Sequence, residues 1–334
     1  MNISIDSHPF LNNPKIGPLI FLNRLSKYIK EHKKHIKLHS KFNPFYDVAI
    51  FSTLDKSIYN KPFILRLDGL FIDQLNTKYN SGFENQKIYN SAKKSAGIIF
   101  VSQYCKDIFE SLFGKLNKPS KIINNGVSLK QFSNIGVNFR KKLNIGDDKF
   151  VIISSASWRR HKRLEETIKF YNFLKKEINN LVLIILGDKK NIYNNDKDII
   201  FAGYVEERDL PYWYRSSNLY LHLAWIEPNA NSQAEAIASG LPSLCANNGG
   251  NFELVVKSNS GIVSSCDKIV NNGLIDYYNP PEPDYEILKK DFMKIYKNYH
   301  SFKENINRKN IDIANTAQNY IQFFKYILSK IDEK

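Results

Sequence analysis

The sequence predicts an α/β protein with two doubly wound domains, and three observations carry that expectation. Short apolar, β-branched runs alternate with helical patterns along most of the chain, as βαβ units and parallel sheets require. Those runs are continuous rather than alternating, as in FVIIS at 150–154 and LVLIIL at 181–186, which marks strands buried on both faces. At 334 residues the chain is too long for one ordinary core and fits two.

In the first half, strands are expected at 3–5, 47–51, 63–67, 97–101 and 121–123. Helices are expected at 18–32, 84–95 and 105–113. Pro18 suits a first helical turn because the amide it lacks would be unpaired there. Gly17 before it lets backbone approach a ligand closely. In the second half, strands are expected at 150–154, 181–186, 198–202, 219–223, 242–245 and 261–264. Helices are expected at 164–179, 209–216 and 232–239. The final segment, 310–332, repeats apolar residues at spacings of three and four from Ile313 to Ile331, one face of a long helix. The expected division is a first domain over 1–135, a second over 136–309, and a C-terminal helix over 310–334 packing across their junction.

Composition bounds the function. With 43% hydrophobic and 24% charged residues, the chain reads as soluble and globular. No window approaches the ~18 consecutive apolar residues of a membrane helix. MNISIDSHPFLNN lacks the basic and apolar regions of a secretory signal. Cys105, Cys245 and Cys266 have no metal-ligand spacing and suggest reduced thiols in a cytoplasm. A net charge of +15 favours anionic partners: nucleotides, nucleic acid, anionic lipid or acidic glycan. Nucleic-acid binding predicts aromatic residues interleaved with the basic stripes, and apart from Trp158 neither KEHKKHIK at 30–37 nor WRRHKR at 158–163 has them.

The chemistry concentrates between Trp225 and Val255. Glu227 follows an apolar strand and precedes Pro228, and the carboxyl edge of an open α/β sheet is where ligands bind. Glu235 lies eight positions on, in Ser232-Gln-Ala-Glu235, which reads as a capping box at a helix start. That helix N-terminus, with Asn231 and Ser232, is also an anion site. Asn248-Gly-Gly-Asn251 reads as a tight loop before Phe252, whose glycines allow amides to meet a phosphate or a sugar hydroxyl. Upstream, Arg159, Arg160, Lys162 and Arg163 crowd the N-terminus of a helix, where the dipole disfavours cations unless an anion neutralises them. Asp196-Lys-Asp198 has the D-x-D form of a metal site, but its Asn-rich loop favours an exposed acidic pair, and no metal is expected.

Taken together, these segments resemble the GT-B glycosyltransferases of group 1 (GT4-like), along nearly the whole chain. Glu227 and Glu235 match the E-x7-E pair of that family. The SAGIIFVS segment at 95–102 and Ile122-Ile-Asn-Asn-Gly126-Val127 match its first-domain segments. The resemblance implies two Rossmann-like domains facing a central cleft, the second binding a nucleotide diphosphate sugar. It implies that Arg159 or Arg160, with Lys162, holds the diphosphate, that Glu227 faces the sugar, and that Glu235 contacts the ribose. Gly249 and Gly250, with Asn251, would close on the sugar-phosphate, and Gly17 would stand in the first domain's glycine loop.

Three departures matter: Asn229-Ala-Asn231 replaces Phe-Gly-Leu, Arg163 replaces a glycine, and the acceptor-side histidine is absent from Leu65-Arg66-Leu67-Asp68, where Asp68 is the candidate. The resemblance implies hexosyltransferase-like transfer with retention, without metal or cofactor, to a glycan or lipid-linked acceptor. The expected setting is cytoplasmic and peripheral to an anionic membrane. The alternatives are a GT-B nucleotide-sugar epimerase and a non-enzymatic nucleic-acid binder.

Overall fold

The computed structural model describes residues 1–6, 17–40, 42–72, 81–188, 196–269, 275–276 and 278–333. The chain forms two compact units. Unit 1 begins with β1 (Asn2–Ile5), α1 (Gly17–His32), β2 (Lys37–His39), β3 (Val48–Ser52) and β4 (Phe63–Leu67). It continues with α2 (Ser81–Lys94), β5 (Gly97–Phe100), α3 (Gln103–Phe113) and β6 (Ser120–Ile122). The strands pair in parallel in the order β2-β1-β3-β4-β5-β6. Every residue of β3, β4 and β5 is buried, which explains why these strands are apolar apart from Ser52 and Arg66. Sequence reading missed β2, because Lys-Leu-His is a short, half-exposed edge whose place comes from pairing Lys37, Leu38 and His39 with Asn2, Ile3 and Ser4.

Unit 2 begins with β7 (Phe150–Ser155), a 3-10 turn (Arg160–Lys162), α4 (Leu164–Lys175), β8 (Leu181–Leu186) and β9 (Ile199–Gly203). There follow α5 (Leu210–Arg215), β10 (Leu219–His222), α6 (Asn231–Ala238), β11 (Ser243–Ala246), α7 (Asn251–Ser258) and β12 (Gly261–Ser264). Helices α8 (Tyr285–Lys297) and α9 (Tyr299–Glu304) and a 3-10 turn (Arg308–Ile311) complete it. Its strands are parallel, in the order β12-β11-β10-β7-β8-β9. Apolar side chains fill both faces of the sheet: Leu164, Phe170, Leu288 and Phe292 on one, Tyr214, Ala236, Ile237 and Leu254 on the other. Helix α8 starts where Asp284 accepts the amides of Glu286 and Ile287, each at 3.0 Å.

The units divide at Gly126 and Val127 rather than at 135, because Val127 and Phe132 lie in the apolar core of unit 2. The last helix, α10 (Ile313–Asp332), belongs to unit 1 and not to a separate piece. Asp312 caps it by accepting the Ala314 amide at 3.1 Å. Its Ala317, Tyr320, Phe324 and Ile327 join Phe21, Leu22, Leu25 and Ile29 of α1 in one apolar cluster. No helix among the described residues is long and apolar enough to cross a membrane.

Gly126 is where the start of α10 meets the end of the first chain pass. A Cβ there would lie 2.4 Å from Thr316 Oγ1 and 2.9 Å from the Ile313 Cα, so backbone would have to move. Gly126→Ala should therefore lower stability by about 1–3 kcal/mol, as overpacking does. A thermal melt with an unchanged midpoint would show that this approach is not needed.

Candidate functional site

Parallel pairing sets the site in unit 2. Strand β10 lies between β7 and β11, so the loops leaving these three strands emerge side by side at the carboxyl edge of the sheet. The loop after β7 carries Arg159, Arg160 and Lys162, the segment after β10 carries Glu227, and the loop after β11 carries Gly249 and Gly250. The Lys162 ammonium forms an ion pair with the Glu227 carboxylate, each side chain 17% exposed. Burial pulls Lys162 down to about 7 and the neighbouring Arg159 charge adds to this, while the carboxylate against it pulls the other way. The Gly250 amide donates to the Glu227 carbonyl at 2.8 Å. Gly249, at φ +85°, lies so close that a Cβ would stand 2.5 Å from the Glu227 oxygen and 2.6 Å from its nitrogen. The loop therefore needs glycine for both its conformation and its space.

The four cations of the basic loop separate into different roles. Arg160 pairs with Glu166 in the first turn of α4 at 2.7 and 2.8 Å. Arg163 is buried and pairs with Asp267 at 2.8 and 2.9 Å. Arg159 is exposed and, among the described residues, has no acidic partner. Of the two arginines proposed for an anion, Arg159 is the one whose charge is uncommitted.

The capping-box expectation for Ser232 and Glu235 is overturned. Helix α6 begins one residue earlier, at Asn231, with Ala230 as the flanking residue and no side-chain cap. Tyr220 donates its hydroxyl to Ser232 Oγ at 2.9 Å, and Tyr214 donates to Glu235 Oε2 at 3.2 Å. Both tyrosines are buried, and the Glu235 carboxylate helps burial to hold the Tyr214 phenol well above its usual range. Glu235 thus faces the strand side of α6 instead of closing its first turn. The two tyrosines had no sequence signal, since each is an ordinary core aromatic until α6 packs over it.

The Asn248–Asn251 stretch is also not only a loop, because Asn251 opens α7. The Asn251 side chain is 1% exposed and used at both ends. Its Oδ1 accepts the Ala230 amide at 2.9 Å, which leaves Nδ2 to face His222 Nε2 at 2.7 Å. That nitrogen must then be the acceptor, so His222 is neutral, with its proton on Nδ1. Burial, aided by the Lys162 charge, pushes His222 down to about 3. His161 is likewise held at about 3 by burial and by Lys162 and Arg159. Asp196 and Asp198, the D-x-D pair, both face Lys175, and residues 191–195 lie outside the described set.

Unit 1 has a second polar cluster, at the end of β4. Arg66 is wholly buried, with the Phe21 ring 4.5 Å from its guanidinium. It donates to the Tyr320 hydroxyl at 3.0 Å, to Asn125 Oδ1 at 2.5 Å and to Asp68 Oδ1. The other Asp68 oxygen accepts from Ser52 Oγ at 2.6 Å. Gly17 is the first residue of α1, and residues 7–16 before it lie outside the described set.

Residues 137–276, which take in β7 to β12, match the family model described as Glycosyl transferases group 1. That segment, somewhat less than half of the chain, is similar to the family. Protein CapJ of Staphylococcus aureus is 31% identical over 144 residues, 40% of this chain and 37% of that protein. The curated relatives it matches are spanned over 37% to 51% of their own length. Among solved structures, sucrose-phosphate synthase from Thermosynechococcus elongatus aligns with a TM-score of 0.67 at 14% identity, covering 97% of this chain and 82% of that one. Anabaena HepE in complex with UDP-glucose aligns with a TM-score of 0.65 at 15% identity, covering 97% and 99%. The fold expected from the sequence, two Rossmann-like domains of the GT-B class, is borne out by these likenesses.

The neutral histidines make stability depend on pH. The unfolded chain protonates an imidazole near 6.5, the folded one near 3, so stability is full above that window and falls as pH drops through it. Each such group contributes a slope of up to about 1.4 kcal/mol per pH unit. His222→Gln should flatten the dependence by about 1 kcal/mol per unit between roughly pH 6 and 5, measured by denaturant unfolding. A slope equal to wild type would mean that His222 is hydrated in the folded state.

Proposed function

We propose that this chain is a GT4-like glycosyltransferase that moves a hexose from a nucleotide diphosphate donor to a hydroxyl of a glycan or lipid-linked acceptor. The observation that carries the reading is the meeting of Lys162, Glu227 and the Gly249–Gly250 turn at one sheet edge, within the segment that matches the group 1 family. HepE, which shares the fold, was solved with UDP-glucose, and this supports a nucleoside diphosphate sugar as donor.

In this reading Arg159 and Lys162 hold the diphosphate. The amides of Gly249, Gly250 and Asn251 and those around Asn231 and Ser232, at the starts of α7 and α6, add partial positive charge. Glu227 orients the sugar and Glu235 the ribose. The anomeric carbon–phosphate oxygen bond breaks as the acceptor oxygen bonds to that carbon, and the hydroxyl proton leaves to the departing phosphate. Retention follows when both events occur on one face of the sugar. Negative charge develops on the diphosphate, and preorganised cations and amides stabilise it without metal. The buried, neutral His222 and His161 fit this scheme, since neither is needed as an acid or base. Asp68, gripped by Arg66 and Ser52, is assigned as the acceptor-side catalytic group, and Gly17 is assigned to donor binding. Peripheral contact with an anionic cytoplasmic membrane surface is consistent with the +15 charge.

A thermal-shift series with UDP, GDP, ADP and their sugars tests the donor class. Saturation at about 100 times Kd should add roughly 2.7 kcal/mol of stability for the matching nucleotide. No shift with any of them would sink the reading. With the donor identified, Glu227→Gln should cut transfer by about 100-fold or more, and transfer at the wild-type rate would remove Glu227 from the site.

A further inference from the structure

Arg163 occupies a backbone conformation that disfavours it. Its φ and ψ are 57° and 49°, the left-handed region, between the 3-10 turn that ends at Lys162 and the start of α4. Its guanidinium is wholly buried, and the Nε hydrogen has no acceptor. Strain and burial of this kind persist only where the surroundings hold them in place. The side chain is held at four points: both Asp267 oxygens, the Pro281 carbonyl at 2.6 Å and the Leu223 carbonyl at 3.4 Å. Asp267 is in turn bonded to the glycine loop. Asn247 donates to the Asp267 carbonyl at 3.0 Å and accepts its amide at 3.1 Å, while Asn248 donates to the next carbonyl, Lys268, at 3.0 Å.

These bonds close a ring. It runs from Lys162 to Glu227 by the ion pair, from Glu227 to Gly249 and Gly250 by backbone contact, and along the chain to Asn247. From there it passes to Asp267, to Arg163, and through one peptide bond back to Lys162. We infer that Arg163 and Asp267 are a positioning pair that fixes the spacing between the Lys162 turn and the Gly249–Gly250 turn, so that the phosphates of a nucleoside diphosphate meet a preassembled site. Neither residue touches the ligand. The inference rests on the donor-site reading of unit 2 and adds to it a specific determinant of diphosphate affinity. A glycine at 163 would suit the backbone but would leave the loop untied from Asp267.

The test is calorimetric titration of the full chain with the nucleoside diphosphate that binds best among UDP, GDP and ADP, and with the matching monophosphate. Arg163→Lys and Asp267→Asn should weaken the diphosphate about tenfold while the monophosphate changes by less than about twofold, because misplaced phosphate contacts lose affinity and the rest of the nucleotide does not. A pair that served only the fold would lower the melting temperature and leave the ratio of the two affinities at the wild-type value, and that result would overturn the inference. Should both charged-pair variants fail to fold, Asn247→Ala decides. It unties the glycine loop from Asp267 without burying a charge, and an unaltered ratio in a folded Asn247→Ala protein likewise overturns the inference. Wild-type protein that binds none of the three diphosphates refutes the donor reading itself, and the positioning role with it, before any variant is made.

Discussion

The constraint on which unit 2 depends is that β10 lies between β7 and β11, with all three strands parallel. Parallel strands send every carboxyl-end loop to one edge, and adjacent strands make their loops neighbours. A basic turn some 60 residues before Glu227 and a glycine turn about 20 residues after it become contacts of the same residue for that reason alone. The backbone then tightens what the order permits. Gly250 donates to the Glu227 carbonyl, and only a residue without Cβ fits at 249. Moving either glycine would release the segment that carries Glu227, so the site's geometry is set by main chain before any side chain is considered.

Electrostatics explains how so many cations stand near one helix start. A helix N-terminus repels positive charge, and desolvating an unpaired guanidinium costs several kcal/mol. Each cation that is drawn inward therefore has its own carboxylate: Glu166 for Arg160, Asp267 for Arg163 and Glu227 for Lys162. These pairs are not equivalent. The first two are bidentate with a buried acid, and serve the local fold. The third joins two groups that both retain some exposure, at the edge of the sheet. A cation paired with a partly exposed carboxylate can exchange partners more cheaply than Arg160 or Arg163, whose carboxylates are buried.

The fold was legible because most of its strands are buried and so announce themselves as largely apolar runs. The strands at 63–67, 181–186 and 261–264 were readable to the residue. Strand β2 was not, since a three-residue edge with lysine and histidine has no such run. The site divided along a different line. Glu227 stood out because no local structure needed a carboxylate there. Ser232 and Glu235 matched a capping box, yet tertiary bonds from Tyr220 and Tyr214, 12 and 21 residues upstream, prevailed over the local pattern. Arg163 could be seen to replace a glycine, but its partner lies 104 residues further on, a separation at which a sequence pattern holds no pairing information.

The histidines and Asn251 show how one backbone bond propagates into chemistry. Ala230 has a free amide at the start of α6 because nothing in its own turn caps it. Asn251 Oδ1 accepts that amide, so the other end of the same side chain must be a donor, and His222 Nε2 must be an acceptor. A proton added to that nitrogen would face an N–H at 2.7 Å, in a buried setting beside Lys162, and burial together with that charge opposes it. The capping bond of α6 and the neutrality of His222 are thus one arrangement. Whatever proton transfer occurs at this edge must therefore use groups other than the His222 imidazole.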